Sequence, residues 1–317
     1  MSKSTPNFYP YYTGASVAAT PDASAFVLGA WYKENTGAVL LYRWSGAAYV
    51  ETVVTVPGSA SRANVGMSVA ISADASLILA GAPGLSPAGN TGGAGGGVVA
   101  FALTPGGDWN SSTWQLPVAN RTGFDNCGMG VALSSDGNFA VAGCPYTDIS
   151  PTQGRHGRVF TVTDLIQPAG PAPTPTPPPP TPPPSPPPQP PPSPPASPPP
   201  PSPPQPPRPP AGPAASAALP TPVYSAGSTD WYGRDIAMSG DGSTVVANAP
   251  YSTPAGYAVV FRRSGSGWSQ VAVLTNAADG FSQNGWGSAV AVSYDGSTIV
   301  AGSPGVAGKK GAAYVSG

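Results

Sequence analysis

The chain holds one histidine, His156, and two cysteines, Cys127 and Cys144, in 317 residues. Metal clusters of the Cys/His type and Ser-His-Asp or Cys-His machinery have almost nothing to be built from. His156 stands between Arg155 and Gly157 with no nucleophile or second ligand nearby in sequence, so it is expected to be a solvated loop residue without a catalytic part. A glycosidase needs paired carboxylates facing a cleft, whereas the 14 Asp and Glu residues are scattered and many stand in turns. The run "TGGAGGG" ending at Gly97 lacks the Lys-Ser/Thr of a phosphate-binding loop and leads into an apolar strand, which reads as a flexible loop. Trp31, Tyr32, Trp231, Tyr232 and Trp286 fall near turns. Packing accounts for most of them, and any exposed ones could form a sugar- or protein-binding patch. The expectation is a protein that is not an enzyme, without catalytic residues, cofactor or metal.

Other residues invite covalent modification. Cys127 and Cys144 stand at the start and end of one predicted hairpin that turns at Ser135 to Gly137. A disulfide is geometrically reasonable there, and two buried free thiols are the alternative. "N-S-S" at Asn110 and "N-R-T" at Asn120 are N-glycosylation acceptors.

The elements that position these residues emerge from internal self-similarity. Asp22, Asp74, Asp136, Asp241 and Asp295 each have a glycine eight residues earlier, at Gly14, Gly66, Gly128, Gly233 and Gly287. Seven residues later stand Gly29, Gly81, Gly143, Asn248 and Gly302, and nine later Trp31, Pro83, Pro145, Pro250 and Pro304. Alternating small and β-branched residues around each Asp predict a hairpin with the Asp at its tip. A third strand follows, as in "GAVLLYRW", "GVVAFAL" and "GYAVVFRR", and a fourth in "YVETVVTV", "TWQLPV" and "WSQVAVLT". Four antiparallel strands per unit of about 50 to 60 residues predict an all-β fold, a β-propeller of about five blades. A β-sandwich would give no reason for five gap-free copies.

These repeats resemble the FG-GAP repeats of integrin-alpha-like β-propellers. Tyr232-Gly233 and Trp286-Gly287 carry the aromatic-glycine element, Val65-Gly66 and Cys127-Gly128 carry it weakly, and Thr13-Gly14 departs from it. Gly81-Ala82-Pro83, Gly143-Cys144-Pro145 and Gly302-Ser303-Pro304 carry the second element, with Asn248-Ala249-Pro250 as a variant. The resemblance implies a scaffold for adhesion or ligand binding. Many members hold calcium on several aspartates between the first two strands. Here each turn has one Asp, too few oxygens for that cage, so no calcium is expected at these turns.

Only 9% of residues are charged, with a net charge of -1, which excludes a nucleic-acid binder acting through phosphate contacts. Of 45 prolines, 30 fall between Pro168 and Pro213, a stretch that interrupts the third repeat. Proline at that density settles into polyproline II, a rod expected to leave and re-enter at one blade's outer edge, with the fourth strand resuming near Pro222 and Val223. Its "SPPP"-like units at Ser185, Ser193, Ser197 and Ser202 resemble the hydroxyproline-rich glycoproteins of plant and green-algal walls, pherophorin-like matrix proteins included, which implies O-glycosylation. A passive linker or a ligand for SH3-like or WW domains are the alternatives. The expected organisation is blades 1 to 3 over residues 1–167, the proline-rich insert over 168–213, and the rest of blade 3 with blades 4 and 5 over 214–317.

The functional expectation is an extracellular matrix or cell-wall glycoprotein, structural or adhesive, with a protein or polysaccharide ligand on its loops. Self-association into matrix or fibres would suit that role. A carbohydrate-active enzyme and an intracellular scaffold are the competing classes. No apolar run reaches membrane-spanning length, and "MSKSTPNFYPYYTG" has no signal-peptide-like apolar region. The fifth repeat stops near its third strand, which suggests either a piece of a larger ring or a five-bladed ring closed by Phe8 to Tyr12 pairing with Ala313 to Val315.

Overall fold

A computed structural model describes residues 12–56, 62–86, 95–114, 125–150, 153–163, 216–220, 222, 230–252, 256–265, 267–275, 287–305 and 311–317. These form five antiparallel sheets in repeat order, the blades of a β-propeller. The first blade is β1 (Thr13–Ala19), β2 (Ala25–Ala30), β3 (Ala38–Trp44) and β4 (Tyr49–Val54), with a 3₁₀ turn at Lys33–Asn35. The second is β5 (Val69–Ile71), β6 (Leu77–Ala82), β7 (Gly97–Leu103) and β8 (Trp109–Trp114). The third begins with β9 (Val131–Leu133) and β10 (Phe139–Cys144), carries a small ribbon of β11 (Asp148–Ser150) and β12 (Gln153–Arg155), and continues with β13 (Arg158–Thr163) and β14 (Ser216–Ala218). The fourth is β15 (Ile236–Met238), β16 (Thr244–Ala249), β17 (Tyr257–Ser264) and β18 (Gly267–Leu274). The fifth has three strands among the described residues, β19 (Ala289–Val292), β20 (Ile299–Ser303) and β21 (Ala312–Ser316).

Period-two alternation explains why some strands are apolar throughout. In β6, Ile78 and Ala80 join the cluster shared with the first blade, whereas Leu77 and Leu79 join the cluster shared with the third. Four such clusters fill the four junctions between successive blades. The two outer faces of the series differ. Val17 on β1 is 65% exposed and Val315 on β21 is 70% exposed, and no apolar cluster joins the fifth blade to the first among the described residues.

The anchor aspartates all sit in the hairpin turns, and their carboxylates bind the turn itself. Oδ1 accepts the backbone N–H two residues on at Ser24, Ser76, Asn138, Ser243 and Ser297, at 2.9 to 3.0 Å. Ser72, Ser134, Ser239 and Ser293 each donate a hydroxyl to the same carboxylate and accept an N–H from the returning strand. The turns are also linked in series: Ala73 N–H donates to Ser135 O, Ser135 to Gly240 O, and Gly240 to Tyr294 O.

These bonds favour ionised carboxylates. The Ser24 N–H holds Asp22 down at about 2, and the Ser293 hydroxyl holds Asp295 down at about 2. At Asp74 burial pushes upward, and the Ser72 hydroxyl with the Ser76 N–H and hydroxyl outweigh it and lower the value. A depressed folded value means a stabilisation fully present above the ordinary carboxylate range and lost as pH falls through the folded value. Thermal midpoints should therefore fall between about pH 4 and pH 2, and the Asp22→Ala/Asp295→Ala variant should show a shallower fall across that window. A midpoint flat down to pH 2 would contradict this reading.

Two strand positions correct the expectation. The fourth strand of the second blade is Trp109–Trp114, not "TWQLPV" at 113–118, because the Thr104–Gly107 turn closes at once with Gly107 N–H on Thr104 O and Thr104 N–H on Asp108 O. The fourth strand of the third blade is Ser216–Ala218 rather than near Pro222 and Val223, and it pairs Ser216 with Val162. Residues 168–213 and the serines Ser185, Ser193, Ser197 and Ser202 lie outside the described residues. The strands on either side of them are direct neighbours, so the ends of that segment are already held at strand spacing. Replacing 168–213 with a short Gly-Ser bridge should shift the melting temperature by no more than a few degrees, since loop-closure cost varies only with the logarithm of length. A larger drop in a thermal melt would mean that the segment packs on the blades.

Candidate functional site

Each first strand runs away from one end of the propeller toward the anchor turn, and each second strand returns. The segment entering the first strand, the loop leaving the second and the residue entering the third therefore meet at the end opposite the anchors. Parallel bridges fix this meeting across blades at Gly37 with Val65, Gly96 with Cys127, and Gly157 with Tyr232. The third bridge draws residues of the third and fourth blades into one group.

At this end Tyr146, Trp231 and Tyr251 form an aromatic cluster. The Trp231 ring meets Tyr146 at 4.9 Å and Tyr251 at 4.4 Å, both edge to face. The Arg234 guanidinium lies 5.6 Å from the Trp231 ring and 5.4 Å from the Tyr251 ring, and donates to Tyr251 Oη at 2.8 Å. Tyr251 is exposed, and Tyr146, Trp231 and Arg234 are half-buried. Trp231 stands ten residues before its anchor, with φ at 55°. The same repeat position is left-handed in Asn64 and Asn126, residues that tolerate it, and in Tyr12. Placing a tryptophan there costs on the order of 1 to 3 kcal/mol, a strain typical of functional surfaces. Tyr12, Trp31 and Tyr32 make a second cluster at the corresponding position of the first blade, with Tyr12 stacked on Trp31 at 4.8 Å.

Below the aromatic cluster lies a buried polar layer. Asp230 is 1% exposed, and its Oδ2 lies 3.4 Å from His156 Nδ1. Asp125 is buried at the same repeat position, eleven residues before its anchor, and its carbonyl accepts Tyr146 N–H. Thr147 and Ser252, eleven residues after their anchors, are buried in the third and fourth blades, where the second blade has Leu85. The second blade also has Ala63 in place of the aspartate. The polar layer is therefore a property of the third and fourth blades, against an apolar counterpart in the second.

His156 is the main correction among the residues singled out from sequence. Instead of being solvated, its side chain is 12% exposed against Asp230, because the Gly157–Tyr232 bridge pins its loop to the next blade. The glycine run corrects similarly: Gly95 O accepts Cys127 N–H, and Gly96 packs on the Cys127 backbone with φ at 72°, so its last residues seat the next blade. Tyr232 is buried in the core at 2% exposure, and burial, then the nearby Tyr257, raises its phenol well above the usual value. Cys127 and Cys144 form a disulfide, both fully buried. Asn110 lies exposed on β8, whereas Asn120 and Trp286 are outside the described residues. Phe8 to Tyr11 are outside them too, and Tyr12 packs on Trp31 and Tyr32, while β21 pairs with β20. Among the described residues no group of three or more His, Cys, Asp or Glu is placed to hold a metal ion, and no helix is long and apolar enough to cross a membrane.

Sequence reasoning missed Asp125, Asp230, Arg234, Tyr146 and Tyr251. A signal existed: "DNCG" and "DWYG" place Asp three residues before the repeat glycine in the third and fourth units only.

No protein-family profile and no curated relative matches the sequence. Solved structures do match in fold. A Bacteroides uniformis protein named as a 6-phosphogluconolactonase is 14% identical with a TM-score of 0.50, covering 96% of this chain and 71% of its own. A periplasmic gluconolactonase of Pseudomonas aeruginosa, PpgL, is 16% identical with a TM-score of 0.48, and the match spans 91% of this chain and 64% of that one. The expectation that the chain is not an enzyme is corrected by the first of these neighbours, which carries an enzyme's name. A propeller of this kind is no ground for excluding catalysis, and at such identity the likeness shows the fold alone. What this chain shares with solved proteins is the β-propeller fold.

Proposed function

We propose that the protein is an extracellular matrix or cell-wall glycoprotein whose propeller binds a glycan or protein partner at the end bearing Trp231, with residues 168–213 as a glycosylated spacer. The observation that carries the reading is the aromatic cluster of Tyr146, Trp231 and Tyr251 around Arg234, built on a left-handed tryptophan. A core packing role would not need an aromatic in that conformation or Tyr251 exposed at 44%. The FG-GAP-like motif and the wall-glycoprotein-like proline units support the same reading.

Co-sedimentation of the full chain with insoluble wall polysaccharide tests it. Trp231→Ala should lower retention about tenfold, the loss of roughly 1.4 kcal/mol that one stacked aromatic supplies. Trp44→Ala removes a more exposed aromatic, on β3 and outside the cluster, and should leave retention unchanged. Equal retention of both variants and the wild type would sink the assignment to this end. Mass spectrometry of the protein from its native source, read for hydroxyproline and for glycan at Asn110, tests the extracellular part.

A further inference from the structure

We propose that the ligand of the Trp231 cluster is an acidic glycan: a pyranose bearing a carboxylate, with the sugar ring against Trp231 and Tyr251 and the carboxylate on Arg234. This rests on the aromatic end being a ligand site and adds the charge of what it takes.

Arg234 carries the argument. Its guanidinium is held by two aromatic rings and a phenol oxygen, and the only acid that feels its charge, among the described residues, is Asp235. It makes no ion pair among the described residues. The carboxylate next to it in sequence, Asp235, is turned away into the junction with the fifth blade, where Oδ2 accepts Val290 N–H at 2.8 Å and Oδ1 accepts Ile236 N–H at 3.0 Å. A guanidinium has five N–H donors in a planar fork suited to a carboxylate, and Tyr251 takes one. The remaining donors stand beside aromatic rings, where an anion on a partly apolar ligand gains both contacts at once. The first-blade cluster lacks this feature: the cation beside Tyr32 is Lys33, and its ammonium is spent on Glu34 at 2.8 Å. Since the chain's net charge is only -1, no general field draws a polyanion in, and preference for an acid must be local to Arg234.

The experiment is titration calorimetry of the full chain with tetragalacturonate, its methyl-esterified form and a neutral tetrasaccharide of galactose. The acid should bind at least tenfold more tightly than the ester or the neutral sugar. Arg234→Gln should bring all three to similar affinity, and Trp231→Ala should weaken all three. Equal affinity of the wild type for the three sugars, still lost in Trp231→Ala, would overturn the acidic ligand and leave the aromatic site standing. Binding of none of them would overturn both, and an acid preference that survives Arg234→Gln would place the anion contact elsewhere.

Discussion

Replacing Cys127 by Val and Cys144 by Ala together is expected to lower stability by about 3 kcal/mol, the loop-closure stabilisation of a bridge spanning 17 residues. The pair of replacements is chosen from the molecule itself. At the equivalent positions of the second blade stand Val65 and Ala82, both fully buried in the first junction. The double variant therefore keeps a packing that the repeat already uses, and what it loses is the covalent link. In a fold of this size the melting temperature should drop by roughly 6 to 12 °C. Differential scanning calorimetry of the variant, and of the wild type with and without reductant, measures it. A drop below about 1 kcal/mol would mean that the unfolded chain gains little from the link, since the packing is common to both.

The fold was legible because the repeat records the same physical demands several times. Gly66 and Gly128 take positive φ and receive the neighbouring blade's second strand, and the Asp in each turn binds the N–H two residues on. A requirement repeated at constant spacing stands out in a single sequence. The third strands were legible for a related reason: each begins after a glycine, as at Gly37 before Ala38 and Gly157 before Arg158, and runs as an apolar block. Fourth strands were less so. β8 reads "WNSSTW" and β14 reads "SAA", outer strands with little apolar signal, and their positions follow from turn length and pairing.

The candidate site was only half legible. Trp231 was visible as an aromatic near a turn, but its aromatic partners stand 20 and 85 residues away, and the third and fourth blades meet through the parallel bridge of Gly157 with Tyr232. His156 shows the difference most plainly. Its sequence neighbours are a loop, while its spatial neighbour is Asp230, 74 residues on. What a propeller builds between blades depends on which blade follows which in space. The repeat fixes that order, but the repeat is invisible when each residue is judged by its own surroundings in sequence.

The largest effect is expected from one added methyl group. Gly29, Gly81 and Gly143 occupy the same repeat position in the first three blades, and a Cβ built on any of them falls on the carbonyl oxygen of the next blade's repeat glycine, at Gly66, Gly128 or Gly233. Those oxygens belong to backbone, so they cannot rotate aside, and the blades would have to part along a junction filled by a buried apolar cluster. Gly143→Ala should therefore cost more than about 4 kcal/mol, the range reserved for severe core disruption. Gly302 is the same position in the fifth blade, also without a positive φ, yet its added Cβ would meet nothing closer than 3.8 Å. Gly302→Ala should be neutral or stabilising by about 0.4 to 1 kcal/mol, through the reduced entropy of the unfolded chain. Gly14, the first blade's repeat glycine, likewise has nothing within 4 Å of an added Cβ, so among the described residues the two outer faces of the series lack the contact that the inner junctions complete. Urea unfolding of the two variants side by side measures the contrast, with the same substitution and the same backbone class in both. If Gly302→Ala proved as costly as Gly143→Ala, the fifth blade's outer face would have to be packed as tightly as an inner junction, and the propeller would be a closed ring.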